Sequence, residues 1–543
     1  MVQIFRRRAG EMQCVSEITN YEQEAGRLAF MKPIKTQSKI LTVTELAAKA
    51  GDFRASAFVV VQAHGTFDLL HLGHVRHLEA ARELGDVLVV TITADRFVNK
   101  GPGRPVFNEA LRAEMLAALH FVTYVAIAEA PDAIGAINAI RPSIYAKGSD
   151  YQNPDGDVTG KIALEREAVE SYGGMIRFTD EVTFSSTELI NRHFNLFEPH
   201  VRAHLTELRD DGGLSAILRS IEAIRDYRVV LVGEAIIDDY QYVFPMGKPP
   251  KEHIIATRYQ DKEVFAGGVF AAANHVASFC KEVHVITCLG DDHSYDELVR
   301  RSLKPNVTLH AVFRPNSPTT VKRRFVDPAS IRKLFEVYHM NDEPLTIDLE
   351  RQLQLLIREI CPKADVVIST DFGHGLIGPR IVDDLISRSS FLAVNTQSNS
   401  ANMGYNLITR YPRADYICID GPEARLALSD RISAAGDIVY HLAERLPQCA
   451  KLIVTQGRHG CITFERDQLA VHTIPAVARK IVDTVGAGDA FLAITSPLVA
   501  AGTPMNLVGL VGNVVGALKV EIVGHRHAVD EVALIKDLTG LLK

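Results

Sequence analysis

Short, wholly apolar runs alternate along this chain with stretches of helical period. Phe58-Val59-Val60-Val61 and Val87-Leu88-Val89-Val90-Thr91-Ile92 read as strands, with a turn and an amphipathic helix between them. That is a βαβ unit, and strands apolar at every position belong to a parallel sheet covered on both faces. Residues 122–127, 144–146 and 175–178 predict further strands, and the pattern stops near residue 195. Residues 196–226 are polar, helical in period and broken by Asp210-Asp211-Gly212-Gly213, which predicts a linker with helical pieces. A second α/β alternation opens at Val229-Val230-Leu231-Val232 and continues through strands at 283–287, 366–369, 392–395, 417–419 and 452–455. Ahead of both lies a weakly patterned stretch with one short helix over 42–50, Thr44 being its expected N-cap. The expected division is an N-terminal extension (1–55), a first α/β domain (56–195), a linker (196–226) and a second α/β domain (227–543).

Composition adds exclusions. At 47% apolar and 23% charged residues the balance is that of a globular protein with material for buried cores. A net charge of −7 argues against a large non-specific nucleic-acid surface and leaves room for a local anion pocket. The seven cysteines are scattered and form no CxxC, so neither a disulfide framework nor a structural zinc site is expected, and a reducing cytoplasm is the simplest home. Arg6-Arg7-Arg8 has no apolar run behind it, unlike a signal peptide. The apolar stretch 507–518 is too short to span a bilayer. No nucleic-acid or membrane partner is expected; a homo-oligomer is.

The first chemical motif follows the first strand: Gly65-Thr66-Phe67-Asp68-Leu69-Leu70-His71-Leu72-Gly73-His74. Two histidines three apart in a helix's first turn face one side. Free backbone N–H groups and the dipole there favour an anion. Two imidazole donors suit a pentacoordinate α-phosphate with growing charge. The same pair has metal-ligand character, but no third ligand is evident nearby. Here the chain resembles the cytidylyltransferase-like nucleotidyltransferases, whose signature is HxGH after a G-x-F-D turn, over roughly residues 40–195. The resemblance implies a Rossmann-like parallel sheet, His71 and His74 as catalytic, and Gly65, Thr66, Phe67, Asp68 and Gly73 at the nucleotide. Lys100, in Lys100-Gly101-Pro102-Gly103-Arg104-Pro105, looks like the basic segment that grips phosphates and takes part in catalysis. Arg112, read as opening the next helix, and Lys147, in Lys147-Gly148-Ser149-Asp150-Tyr151, are implied to neutralise phosphates. Ser185, Ser186 and Thr187 match the family's I-S-S-T element at the triphosphate. Asp157-Val158-Thr159-Gly160-Lys161 with Glu165 is an extra element without a counterpart in that pattern.

The second motif is Asp483-Thr484-Val485-Gly486-Ala487-Gly488-Asp489-Ala490-Phe491, ahead of an apolar helix. Gly486, Ala487 and Gly488 let backbone N–H groups converge on a transferring phosphoryl group. Asp489 follows, where a carboxylate takes the proton of an attacking hydroxyl. The string resembles the ribokinase-like PfkB sugar kinases, over residues 228–543. That resemblance implies Mg²⁺ and ATP, with Asp238, Gly267 and Gly268 on the substrate side. It puts Thr455, Gly457 and Gly460 at the nucleotide, Asn513 on the adenine side, and Glu423, in Asp420-Gly421-Pro422-Glu423, at the metal. The sugar end departs from the family. Val269-Phe270-Ala271-Ala272 occupies the stretch where an Asn is usual, the first Asn being Asn274, and Asn395-Thr396-Gln397 replaces the heptose kinases' D-P-K.

Together the halves resemble the bifunctional heptose-phosphate kinase/adenylyltransferases that make ADP-heptose, with the order of the halves reversed. The implied chemistry is ATP-dependent phosphorylation of a sugar, then coupling of a sugar phosphate to ATP or CTP with release of pyrophosphate. Two other readings stand beside it: a CTP-dependent transferase acting on a polyol phosphate or phosphonate, and a C-terminal half that is a regulatory, nucleotide-binding pseudokinase.

Overall fold

The computed structural model describes residues 36–98, 105–148, 161–179, 197–247, 253–478 and 480–542. The chain divides into two compact units, one running to Ser186 apart from residues 99–104, the other holding those residues and 187–543.

The first unit is a six-stranded parallel sheet: β1 (Ile40–Leu41), β2 (Val60–Gly65), β3 (Val87–Thr93), β4 (Tyr124–Ala128), β5 (Ile144–Gly148) and β6 (Met175–Thr179). Its order is β1-β4-β3-β2-β5-β6. The chain runs outward from β2 to β3 and β4, then returns to lay β5 and β6 on the other side. The strand order therefore reverses between β2 and β5, and a crevice opens at the carboxyl ends of that pair. Val60, Val61, Ala63, Val89 and Val90 are fully buried, as two-sided strands require.

Three sequence expectations change here. The helix predicted over 42–50 runs Val43–Ala55 and is capped by Thr42 rather than Thr44. Thr42 Oγ1 accepts the Glu45 N–H while Glu45 accepts the Thr42 N–H, a capping box. The described part of the supposed extension, residues 36–55, is part of the fold: β1 pairs with β4 as the sheet edge, and Leu46 is fully buried. Phe58 and Val59 stand exposed ahead of β2, which begins at Val60.

The second unit carries a nine-stranded sheet ordered β11-β10-β7-β14-β15-β16-β17-β18-β19. Its strands are β7 (Arg228–Gly233), β10 (Glu282–Asp292), β11 (Val307–Pro318), β14 (Val366–Asp371), β15 (Leu392–Thr396), β16 (Arg413–Asp420), β17 (Gln448–Thr455), β18 (Cys461–Glu465) and β19 (Ala470–Ile474). Pairing is parallel as far as β17 and antiparallel beyond it. The reversal falls between β7 and β14. A separate four-stranded sheet, β13-β12-β8-β9, holds β8 (Ala235–Gly247), β9 (Ala256–Gly268), β12 (Thr320–Asp327) and β13 (Arg332–His339). Its strands mix charged and apolar residues, so it escaped the sequence reading. The expected linker is also corrected. Residues 199–223 form two helices, Pro199–Asp210 and Gly213–Ala223, whose Val201, Leu205, Leu208, Ile217 and Ile221 enter the core of this unit. The apolar stretch at 507–518 lies in the core helix Met505–Lys519, and no helix among the described residues is long and apolar enough to cross a membrane.

Candidate active sites

In the first unit the chain leaves β2 at Gly65 and turns through Thr66, Phe67 and Asp68 into the helix Leu72–Glu83. Phe67 takes a left-handed φ of 48° and its ring meets His74 edge-on at 5.1 Å. Asp68 is buried and accepts the Val106 N–H, tying the turn to the segment before the helix Glu109–Ala117. His71 is the N-cap: its Nδ1 accepts the Gly73 N–H at 3.1 Å, which leaves the ring proton on Nε2. His74 stacks on His71 with ring centroids 3.9 Å apart and planes at 28°. The two imidazoles thus share one side of the helix start, at the crevice beside β5.

His77, which sequence reasoning missed, and the expected Lys147 lie close to one another here. His77 continues the three-residue spacing, and its Nδ1 lies 2.7 Å from Thr179 Oγ1 at the end of β6. Burial, then Lys147, push its imidazole down to about 4, so it is neutral near pH 7. Lys147, at the end of β5, pairs at 2.8 Å with Glu165 on the helix Lys161–Glu170, both side chains nearly buried. The unmapped element around Glu165 thus supplies the partner of an expected phosphate ligand.

Arg112 is a correction. It lies inside the helix Glu109–Ala117, behind the N-cap Asn108, and is fully buried. Its guanidinium donates to Phe107 O at 3.0 Å, Thr66 O at 2.5 Å, Thr93 O at 2.8 Å and Asp95 Oδ1 at 2.6 Å. These oxygens occupy the fork, so Arg112 braces the turn after β2 and does not face a phosphate. Lys100, Ser185, Ser186 and Thr187 lie outside the described residues.

In the second unit Gly486 adopts φ 76° as the N-cap of the helix Ala487–Ala500, and the N–H groups that follow point out of the helix start. Asp489 is half-buried in its first turn. Burial, then Asp238, raise its carboxyl above the usual range, against His525, Lys322 and Lys519. A poised carboxyl of this kind suits a proton acceptor. The first Asp of the motif, Asp483, is structural: it accepts from Tyr240 Oη at 2.7 Å, Lys333 Nζ at 2.6 Å and the Gly524 N–H at 2.8 Å.

Gly267 and Gly268 end β9 beside Asp238 on β8. A Cβ on Gly267 would stand 2.0 Å from Asp238 Oδ2, so the close approach requires glycine. Asp238 is already engaged: Arg324 binds Oδ1, and His525 Nε2 lies 3.1 Å from Oδ2. Burial works to raise the Asp238 carboxyl, but the Arg324 charge and the hydrogen bond from His525 hold it well below the usual range. Lys322, on the same strand as Arg324, is buried over the rings of Tyr338 and Phe372, and burial lowers its ammonium. At the strand reversal Glu234 accepts the N–H groups of Phe372 and His374 at 2.9 and 3.1 Å, its carboxyl raised by burial and by Asp371.

The other expected positions divide. Thr455 ends β17, and Gly457 and Gly460, with φ 55° and 95°, shape the turn into β18. Asn513 spends both amide hydrogens on Ile474 O and Pro475 O, holding the end of β19. Glu423 forms a capping box with Asp420 and also accepts the Ser398 N–H at 3.0 Å. Asn274 clasps Ser302 O and the Lys304 N–H. His525, Lys322 and Arg324 were missed, although three consecutive basic residues, Lys322-Arg323-Arg324, flanked by Val321 and Phe325-Val326 were a signal.

Residues 227–531, more than half the chain, match the pfkB family of carbohydrate kinases. The chain belongs to that family. Residues 63–192 match the cytidylyltransferase-like family. Relatives include the Bifunctional protein HldE of Methylobacillus flagellatus, 42% identical over 156 residues that make up 28% of this chain and 30% of that one. The Bifunctional protein HldE of Syntrophotalea carbinolica is 35% identical over 174 residues, 32% of this chain and 33% of that one. The chain therefore matches about a third of these relatives' length. Phosphofructokinase-2 from Escherichia coli in complex with potassium aligns with 58% of this chain and 100% of its own, at 16% identity and a TM-score of 0.48.

Proposed function

We propose that this chain is a bifunctional enzyme of nucleotide-sugar synthesis. Its second unit transfers the γ-phosphoryl group of ATP to a hydroxyl of a heptose-phosphate-like sugar. Its first unit couples a sugar phosphate to an NTP, ATP or CTP, giving an NDP-sugar and pyrophosphate. The observation that carries this reading is the presence, in one chain, of stacked His71 and His74 at one strand reversal and of Asp489 in the glycine turn of a pfkB unit.

In the kinase step Asp489 accepts the proton of the acceptor hydroxyl as its oxygen bonds to the γ-phosphorus and the bond to ADP breaks. The N–H groups after Gly486 hold the phosphoryl oxygens. Asp420 and Glu423, both raised by burial and Glu423 also by Asp420, suit a divalent cation, which would relieve their repulsion. Mg²⁺ held there would neutralise the ATP phosphates. In the transferase step a sugar phosphate oxygen attacks the α-phosphorus and pyrophosphate leaves. His71 and His74 donate to the α-phosphate oxygens as charge grows there, with Lys147 and Lys100 neutralising phosphates.

The test uses the full-length chain with ATP or CTP against heptose 7-phosphate, sugar 1-phosphates, hexoses and polyols, following ADP and pyrophosphate separately. Asp489→Asn is expected to cut ADP formation by about 100-fold or more and leave pyrophosphate release from a sugar 1-phosphate intact; His74→Ala should do the reverse. Wild-type rates in either variant would defeat the corresponding half of the proposal.

A further inference from the structure

His525 follows none of the recognised motifs, yet it sits between two of them. Its Nε2 lies 3.1 Å from Asp238 Oδ2. A Cβ on Gly267 would come 3.4 Å from its Cδ2, and a Cβ on Gly486 would come 2.5 Å from its Cε1 and 3.3 Å from its Nδ1. The ring is therefore wedged between the two glycine elements, with its Nδ1–Cε1 edge toward the turn at Gly486. Its place is fixed from both sides. Asp483 accepts the Gly524 and Val485 N–H groups, and the fully buried Lys519 donates to Val485 O and Gly524 O, each at 2.8 Å. These two residues bind the turn that carries His525 to the turn that carries Gly486. The His525 side chain is only 7% exposed, and its Nδ1 has no hydrogen-bond partner among the described residues.

A buried polar nitrogen without a partner is costly to leave unsatisfied, and such a group is commonly satisfied by a ligand. The neighbouring helix Ala487–Ala500 opens with the positive end of its dipole and with the Gly488 and Asp489 N–H groups, which favour an anion; the Ala487 N–H donates to Thr484 O. We infer that His525 is a further phosphate-binding residue of the kinase unit, its Nδ1–H donating to the phosphoryl group in transfer. The inference rests on the kinase reading and deepens it. Asp238 accepts the Nε2–H, which sets the Nδ1–Cε1 edge of the ring toward the glycine turn and its anion site. His525 takes no part in proton transfer: the acceptor oxygen–phosphorus bond forms, the bond to ADP breaks, and the acceptor proton goes to Asp489. Asp238, placed by its motif at the sugar, acts in this arrangement through His525.

The two ring nitrogens can be tested apart, because an asparagine amide overlays Nδ1 and a glutamine amide reaches to Nε2. The measurement is calorimetric affinity of the full chain for MgADP, with and without beryllium fluoride as a phosphoryl mimic. The wild type is expected to bind MgADP more tightly with the mimic. His525→Gln and His525→Ala should lose about tenfold or more of that gain, while His525→Asn keeps it within about threefold. MgADP alone should bind all four proteins alike, which also reports that they are folded. A gain kept by His525→Gln and lost by His525→Asn would show that the residue only holds Asp238, and would overturn the inference. So would a gain unchanged in every variant, or absent from the wild type. A wild type that binds no MgADP would remove the kinase reading as well.

Discussion

Arg112 and Asp537 show what burial does to a charge that a sequence presents as ordinary. Arg112 finds an oxygen for each arm of its fork, so its burial is compensated. Asp537, in the helix Glu531–Leu542, is buried with its Oδ1 lacking a hydrogen bond among the described residues. Burial, then the charge of Glu521, push its carboxyl up to about 7. The unfolded chain releases this proton near its ordinary pKa of about 4, while the folded chain holds it to about 7. Between those values the folded state binds more protons, so stability falls as pH rises. Asp537→Asn should therefore gain relative to wild type as pH is raised from about 4 to about 7, by on the order of a few kcal/mol at most. Denaturant melts at several pH values check this, and a difference constant with pH would refute it. Residue identities were legible where a motif fixes local geometry, as with His71 and His74, whose spacing alone puts them on one side. Arg112 was misread because a basic residue near a phosphate motif looks the same in a sequence whether its donors face solvent or four backbone and side-chain oxygens. His525 was not legible at all: it is 36 residues from Asp489 in the sequence, and two other side chains bring their turns together.

At the scale of elements, the central strands of both main sheets could be read because continuous apolar runs belong in a parallel sheet covered on both faces, whereas β1, β11, β18 and β19, toward the sheet edges, were not. The helices before β7 could be read as helices but not placed. Val201, Leu205 and Leu208 follow an i, i+4, i+7 stripe, while the rest of Pro199–Asp210 is polar. A narrow stripe of this kind marks a helix that buries one edge, and its partner cannot be seen in the helix itself. Asp210-Asp211-Gly212-Gly213 looked like a break in the fold; it is the tight connection between two packed helices, with Gly212 at φ 73°. The stripe makes Leu208, 2% exposed, a core residue of the kinase unit. Leu208→Ala should destabilise that unit by about 2–5 kcal/mol, with little change in the first unit's melting. If the segment were a solvated linker, the same substitution would leave both transitions where they are. The four-stranded sheet was missed for the opposite reason. β12 buries Lys322 and Arg324 beside Val321 and Val326, so its alternation of apolar and polar residues is lost.

For the whole molecule, the first unit's core is built from residues between Ile40 and Phe178, and the second's from residues between Phe197 and Leu542. Each has its own strand reversal and its own candidate site. The described residues proposed for each chemistry fall within one unit: His71, His74 and Lys147 in the first, Asp489, His525 and Asp238 in the second. A chain that carries two complete cores should tolerate a break between them, because neither core loses apolar burial when the connection is cut. The place for that break is not Asp210 to Gly213, where two helices of the second core meet, but between residue 192, where the cytidylyltransferase-like match ends, and residue 197. A protease site inserted there and cleaved after purification should leave two thermal transitions at their original temperatures. ADP formation and pyrophosphate release should each stay within about threefold of the uncut chain. Cleavage should slow only the complete conversion of sugar to nucleotide sugar, and only if product passes directly between the two sites. A fall of about tenfold or more in either partial reaction, or the loss of one transition, would mean that one unit depends on the other for its fold.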